Sequence, residues 1–200
     1  FFRYGAKNIL ITNPRDMKAF CKDLVKNPFT VITGVNTLFI GLMNQEVFRG
    51  IDFSILKLAL GGGMAVQDAV ADEWEQLTKC PLLEAYGLSE TSPAATINPY
   101  NGTHKKGTIG LPLPNTEVRI FDDNRKEVAV GEHGEIGIKG PQVMKGYWNR
   151  PEETFNCMHG DFFLTGDIGT MDEDGFFKIV DRKKEMILIS GFNVYPNDVE

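Results

Sequence analysis

The sequence is short of basic excess, cysteine, histidine and long apolar runs, and each shortage closes off a class of function. Lysine and arginine number 21 against 27 aspartates and glutamates, a net charge of -6, which argues against a nucleic-acid binder, since that should carry a basic face. The three cysteines, Cys21, Cys80 and Cys157, stand too far apart for a disulfide framework and suit a reducing compartment. The three histidines, His104, His133 and His159, show no metal-ligand spacing and have no cysteine at finger-like intervals. No stretch approaches the length of a membrane span. The opening Phe-Phe-Arg-Tyr lacks the charged lead-in and long apolar core of a signal peptide. Internal repeats and low-complexity tracts are absent, and so is an initiator methionine. With residues 194–200 reading as a helix just beginning, the expectation is a piece of a longer protein, truncated at both ends.

What is present is a globular composition, 42% hydrophobic and 24% charged. Residues 7–11 (Lys-Asn-Ile-Leu-Ile) read as a strand broken by Asn13-Pro14. Residues 16–26 read as a helix, with Asp16 near its start and Met17, Phe20 and Leu24 at helical spacing. Residues 30–33 form a second strand, and 36–44 an apolar helix with Asn36 as its cap. Apolar nearly all round, that helix is either deeply buried or lines an apolar pocket. Residues 55–60 read as a third strand, ended by Gly61-Gly62-Gly63. The helix over 66–78 sets Val66, Ala69, Val70, Trp74 and Leu77 on one face, and 81–85 is a fourth strand. This alternation predicts parallel strands joined by crossover helices. From residue 108 the chain turns Gly-rich and helix-poor. Strands are expected at 117–121, 134–139, 162–164, 168–171 and 176–180, with turns at 122–124 and 172–175. The expected fold class is α/β, a parallel-sheet part followed by a small β-barrel.

Residues 82–91 (Leu-Leu-Glu-Ala-Tyr-Gly-Leu-Ser-Glu-Thr) carry the most chemistry. They start apolar and end with two hydroxyls flanking a carboxylate. Polar groups at the carboxyl end of a buried strand are where open α/β sheets bind ligands. Tyr86 offers a flat face to a base, and Gly87 lets backbone approach closely. Ser89 can donate to a phosphate oxygen, and Glu90 can hold a hard cation such as Mg²⁺. An ordinary strand-to-loop exit accounts for the same residues. Gly61-Gly62-Gly63 removes side chains, so a planar group fits against backbone; a tight turn would need the same glycines. It has neither the spacing of a dinucleotide fingerprint nor the lysine of a phosphate-binding P-loop. In Thr165-Gly166-Asp167 the carboxylate matches two neighbouring ribose hydroxyls, or else caps a turn. Asp181-Arg182-Lys183-Lys184 is a charged knot between apolar runs, either a solvated hairpin or a linker from which Arg182 reaches back to a ligand.

The order of these segments is more specific than any one of them. Gly61-Gly62-Gly63, Tyr86-Gly87-Leu88-Ser89-Glu90, Gly134-Glu135-Ile136, Gly146-Tyr147-Trp148, Thr165-Gly166-Asp167 and Asp181-Arg182 together resemble the adenylate-forming superfamily, over essentially the whole chain. Finer detail, in residues 33–39, 61–67, 139–144 and 190–196, resembles bacterial long-chain fatty acyl-CoA ligases. The resemblance implies an enzyme that joins a fatty acid to AMP with Mg-ATP and then transfers the acyl group to coenzyme A. It implies that Gly62, Gly63, Tyr86 and Gly87 frame the adenine, that Ser89 touches the α-phosphate and that Glu90 ligates Mg²⁺. Asp167 and Arg182 would bind the ribose, Lys184 would be the hinge between large and small domains, and Gly191 would meet the pantetheine arm. Gly34, Val35 and the helix after them would border the acyl tunnel.

Three regions follow from the resemblance: 1–107 as the sheet portion of the adenylation domain, 108–180 as the barrel, and 181–200 as hinge and start of the next domain. The loop that clasps the outer ATP phosphates is expected before Phe1 and a catalytic lysine after Glu200, so the 200-residue piece is expected to be nearly inactive alone. Expected partners are a fatty acid, ATP and coenzyme A, with no nucleic acid and with room for a homodimer. The expected location is the cytoplasm, with peripheral contact at the inner membrane face left open. Competing readings are a ligase for an aryl or medium-chain acid, a nucleotide-binding module without catalysis, and, more distantly, a luciferase-like oxygenase.

Overall fold

The computed structural model describes residues 2–185, 187–189 and 192–194. The chain divides into two compact units, Phe1–Leu83 and Glu84–Glu200, and the division falls inside a strand.

In the first unit, α1 (Met17–Lys26) starts where the Asp16 carboxylate accepts the Ala19 N–H at 3.0 Å, satisfying a donor that the helix cannot. Strand β1 (Val31–Gly34) lies parallel to β2 (Leu58–Gly61), in register from Val31↔Leu58 to Gly34↔Gly61. The crossover between them carries α2 (Asn36–Met43) and α3 (Glu46–Arg49); α4 (Asp68–Thr78) then leads to β3 (Leu82–Tyr86). The core centres on Trp74. Phe39 meets it edge-on at 4.9 Å between ring centroids and Phe48 lies 5.6 Å away, with Leu42, Met43 and Ala59 filling in around them.

Three expectations change here. Residues 7–11 form no strand: Leu10 is 80% exposed, so this apolar run gains no burial from pairing. Asn36 is not the cap of α2. Val35 holds that position, and the Asn36 amide oxygen instead accepts the Gln67 N–H at 3.2 Å, at the start of α4. Phe39, Leu42 and Met43 of α2 are buried, which answers its apolar character by packing. The inner face of α4 is Val70, Ala71, Trp74 and Thr78, with Ala69 outside. The Thr78 hydroxyl is tolerated there because it donates to the Trp74 carbonyl at 2.9 Å.

In the second unit, Ala85 and Tyr86 pair antiparallel with β4 (Thr96–Ile97), which pairs antiparallel with β5 (Leu111–Pro112), two strands absent from the sequence reading. Thr96 and Asn98 are buried polar residues that spend their side chains on Ile109 and Thr108 carbonyls, closing the loop back onto β4. A second sheet follows in the order β10-β9-β7-β6: β6 (Glu117–Phe121), β7 (Gly134–Lys139), β9 (Phe162–Met171) and β10 (Phe177–Arg182). Strand β8 (Met158–His159) pairs with β9. The expected barrel takes the form of this curled half-barrel sheet. Its inner residues, Val118, Ile120, Ile136, Ile138 and Phe177, make the second core together with Ala95 and Ile109. Two expected strands, 162–164 and 168–171, are one strand in the structure. A helix absent from the sequence reading, α5 (Pro151–Asn156), opens on Pro151, whose missing N–H costs nothing at that position. A hairpin of β11 (Ile187–Ile189) and β12 (Phe192–Val194) completes the described chain. Gly191 and the expected helix beyond Val194 lie outside the described residues.

Candidate functional site

The second unit brings three of the singled-out side chains to one corner. The Tyr86 hydroxyl donates to Asp167 Oδ2 at 2.6 Å, across 81 positions of sequence. Arg182 lies beside the same carboxylate, its Nε 3.9 Å from Asp167 Oδ1. Asp167 is well covered, with 16% of its side chain exposed, while Arg182 reaches into solvent with 61%. Burial first, and the Asp167 carboxylate second, push the Tyr86 phenol well above its ordinary value. Tyr86 therefore stays a neutral donor, and Asp167 keeps Oδ1 and spare lone pairs for further donors.

The corner is aimed by an irregularity in the sheet. Between the partners Glu135↔Ile168 and Gly137↔Leu164, β7 spends one residue and β9 spends three, Thr165, Gly166 and Asp167. Gly166 has φ +76°, a conformation that suits a residue without Cβ. The bulge is tied from both sides. Its Gly166 N–H donates to Glu135 Oε1 at 3.0 Å, the Asp167 N–H to Thr165 Oγ1 at 3.1 Å, and the Thr165 hydroxyl to the Ile136 carbonyl at 3.0 Å. On the far side Arg182 is the register partner of Asp167. Lys183 follows, donating its N–H to the Gly166 carbonyl at 2.8 Å and its ammonium to Glu135 Oε2 at 2.9 Å and Asp123 Oδ1 at 3.0 Å.

A second group forms just after β3. Gly87 is required there: a Cβ on it would collide with the Pro93 carbonyl oxygen and lie 2.7 Å from Ala94 Cα. Residues Ser89–Thr91 make a 3-10 turn. Thr91, fully buried, accepts the Leu88 N–H at 2.9 Å and donates to the Pro93 carbonyl at 2.8 Å, so this hydroxyl serves the turn. The Ser89 side chain is exposed. Glu90 Oε1 accepts the Tyr147 hydroxyl at 2.8 Å. Burial, with the Glu90 carboxylate next, holds the Tyr147 phenol up at about 12. Among the described residues no group of three or more His, Cys, Asp or Glu side chains could cage a metal ion. One carboxylate with a free oxygen does fit a Mg²⁺ that takes its other ligands from substrate phosphates and water.

The remaining candidates lie in the first unit and in the tail. The Gly62 N–H donates to the Gly34 carbonyl at 3.0 Å, and a Cβ on Gly63 would touch Val35 at 3.6 Å, so Gly34, Val35, Gly62 and Gly63 are neighbours at the ends of β1 and β2. Lys184 is exposed in the turn after β10, and Gly191 lies outside the described residues. Sequence reasoning assigned no role to Glu135, Tyr147, Thr165 or Lys183, which orient the candidates. All four were in view as members of quoted segments; only the contacts single them out.

A family model for AMP-binding enzymes matches residues 1–148. A long-chain-fatty-acid–CoA ligase of Yersinia pestis is 56% identical over 200 residues, all of this chain and 36% of the relative. Its namesake in Bacillus subtilis is 44% identical over 180 residues, 90% of this chain and 32% of the relative. The chain therefore spans about a third of the length of these curated relatives. Among solved structures, ATP-bound MatB from Rhodopseudomonas palustris superposes with a TM-score of 0.83 at 35% identity, covering 92% of this chain and 37% of that one. An anthranilate CoA ligase, AuaEII, in complex with anthranoyl-AMP, reaches 0.88 over 98% of this chain and 38% of its own at 24% identity, a likeness of fold. With 148 of its 200 residues matched by that model, the chain belongs to the family of AMP-binding enzymes.

Proposed function

We propose that the complete protein activates a long-chain fatty acid to its acyl-adenylate and passes the acyl group to coenzyme A. The observation that carries the nucleotide half of this reading is the 2.6 Å bond between Tyr86 and Asp167, with Arg182 alongside. It supports a corner in which the Tyr86 ring faces adenine and the Asp167 carboxylate, helped by Arg182, accepts the ribose hydroxyls. The acid half is supported by the 54–56% identity to relatives named for long-chain fatty acids.

In this reading the acid's carboxylate oxygen attacks the α-phosphorus and the bond to pyrophosphate breaks. The thiolate of coenzyme A then attacks the acyl carbonyl, and AMP leaves. No side chain needs to remove a proton from the acid, which is ionised near neutral pH. Attack joins two anions, so charge must be met where it builds up. Ser89 supplies a hydroxyl to the α-phosphate, and Glu90 would hold Mg²⁺, which neutralises phosphate charge when bound. Tyr86, Gly87, Asp167 and Arg182 work at a distance, fixing base and ribose so that the α-phosphate is in place. Gly62 and Gly63 offer bare backbone to the adenine, and their neighbours Gly34 and Val35 would border the acyl chain. Lys184 is proposed as the hinge and Gly191 as the pantetheine contact, with the regions 1–107, 108–180 and 181–200 as the corresponding parts of the enzyme.

No helix among the described residues is long and apolar enough to cross a membrane. The reaction is proposed for the cytoplasm; peripheral contact at the inner membrane face and a homodimer are both compatible with this reading. The test is acid-dependent pyrophosphate release by the complete protein across fatty acids of rising length and aryl acids. Long-chain acids should give the highest kcat/KM. Preference for an aryl or medium-chain acid would replace the substrate, and release independent of any acid would end the reading.

A further inference from the structure

The loop after β7, residues 140–148, grips the segment that carries Glu90. The Met144 N–H donates to the Glu90 backbone carbonyl at 2.8 Å. The Gln142 amide donates to Thr116 Oγ1 at 2.8 Å and to the Ala94 carbonyl at 3.3 Å. Tyr147 then places its hydroxyl 2.8 Å from Glu90 Oε1. Tyr147 is itself pinned, its N–H donating to Thr154 Oγ1 at 2.9 Å, while the Thr154 hydroxyl donates to the Arg150 carbonyl at 2.8 Å. Thr154 sits on α5, a helix with no buried residue, so core packing does not explain why that helix is there.

We propose that Tyr147 is a positioning residue for Glu90, holding one carboxylate oxygen so that the other faces a divalent cation bound with the nucleotide phosphates. This rests on the reading of Glu90 as the cation's ligand. A glutamate has three rotatable side-chain bonds, and a half-exposed one samples many rotamers unless a partner fixes it. Partners that orient a metal-binding carboxylate are a general feature of metal sites. A phenol suits the task because it is a neutral donor: it orients the carboxylate without cancelling the charge that the cation needs. With Oε1 engaged, Glu90 is left to bind through one oxygen, which matches a cation that keeps most of its shell for water and phosphate.

The experiment uses the complete protein and a non-hydrolysable ATP analogue, titrated calorimetrically with and without Mn²⁺. The quantity read is the gain in nucleotide affinity that Mn²⁺ brings. Wild type shows the gain, and Glu90→Gln loses it. Tyr147→Phe keeps metal-free affinity and cuts the gain by about 10-fold, the scale of effects from orienting partners. Thr154→Val acts in the same direction and less strongly. If Glu90→Gln keeps the full gain, Glu90 is not the ligand, and both that reading and this inference fall. If Glu90→Gln loses the gain while Tyr147→Phe keeps it, this inference alone is overturned. A drop in thermal midpoint for Tyr147→Phe with an unchanged gain would likewise make Tyr147 merely structural.

Discussion

Asp167→Ala separates a ribose site from a structural hydrogen bond. The Asp167 carboxylate accepts the Tyr86 hydroxyl at 2.6 Å through Oδ2 and is mostly covered, while Arg182 Nε stands 3.9 Å from its Oδ1. That distance, with Arg182 61% exposed, makes the ion pair a weak contributor, about 0–1 kcal/mol. A hydrogen bond to a charged group contributes about 1.5–3 kcal/mol. Two ribose hydroxyls on one carboxylate, taken at the low end, therefore come to about 3 kcal/mol, or about 100-fold in affinity. Calorimetric titration of AMP into the complete protein should show that loss for Asp167→Ala. Tyr86→Phe is the control. It keeps the ring for the base and removes the same internal bond, so it should cost about 1.5 kcal/mol of stability while AMP affinity falls far less. If Asp167 served only to hold Tyr86, the two variants would behave alike. Equal losses of AMP affinity, or a loss below about threefold for Asp167→Ala against the 100-fold expected, would refute the ribose assignment.

Three further outcomes follow from the same geometry. Because the folded state raises the Tyr86 phenol above its ordinary value of about 10, the unfolded chain loses that proton first. The stability this group contributes is full below about pH 10 and falls as pH climbs further, and Tyr86→Phe should flatten that alkaline slope in urea titrations taken across pH 9–11. Glu135→Ala strips the Gly166 N–H and the Lys183 ammonium of an acceptor, and should cost about 2–3 kcal/mol in chemical unfolding, with AMP binding weakened through Asp167. Gly87→Ala forces a Cβ onto the Pro93 carbonyl, so it should destabilise by about 1–3 kcal/mol, visible as a lower unfolding midpoint.

The sequence was most legible where a local rule and the tertiary need agree. Residues 117–121 and 134–139 alternate because one face meets the core, and both strands match to the residue. Asp16 was legible because a cap is a local bond. Asn36 was not, since its side chain serves Gln67, 31 positions away. Residues 7–11 read as a strand from composition, but a strand needs a partner edge, and composition carries no information on one. The break expected between 164 and 168 was informative even though it was misread. The alternation fails there because β9 bulges, and the bulge holds Thr165, Gly166 and Asp167. Motif order singled out Tyr86, Asp167 and Arg182, which the structure brings to one corner, and Glu90, which it sets against Tyr147. The residues that aim them, Glu135, Tyr147, Thr165 and Lys183, emerge only from contacts across tens of positions.

That division has a physical origin. Asp167 has no local device that would present its carboxylate. Its direction comes from β9 spending three residues opposite one of β7, from a glycine free to take φ +76°, and from Glu135 capturing the N–H that the bulge releases from the ladder. Arg182 reaches the same place because the antiparallel register of β10 sets it opposite Asp167, and Lys183 locks the exit of that strand to Glu135. Tyr86 arrives from a different strand pair, held against β4. Three strands and two departures from regular pairing, in β9 and between Ile179 and Asp181 of β10, thus converge on a single carboxylate. The chemistry of the corner is therefore a property of sheet register, and any change that let β9 pair regularly with β7 would turn Asp167 away while leaving every candidate residue in the sequence.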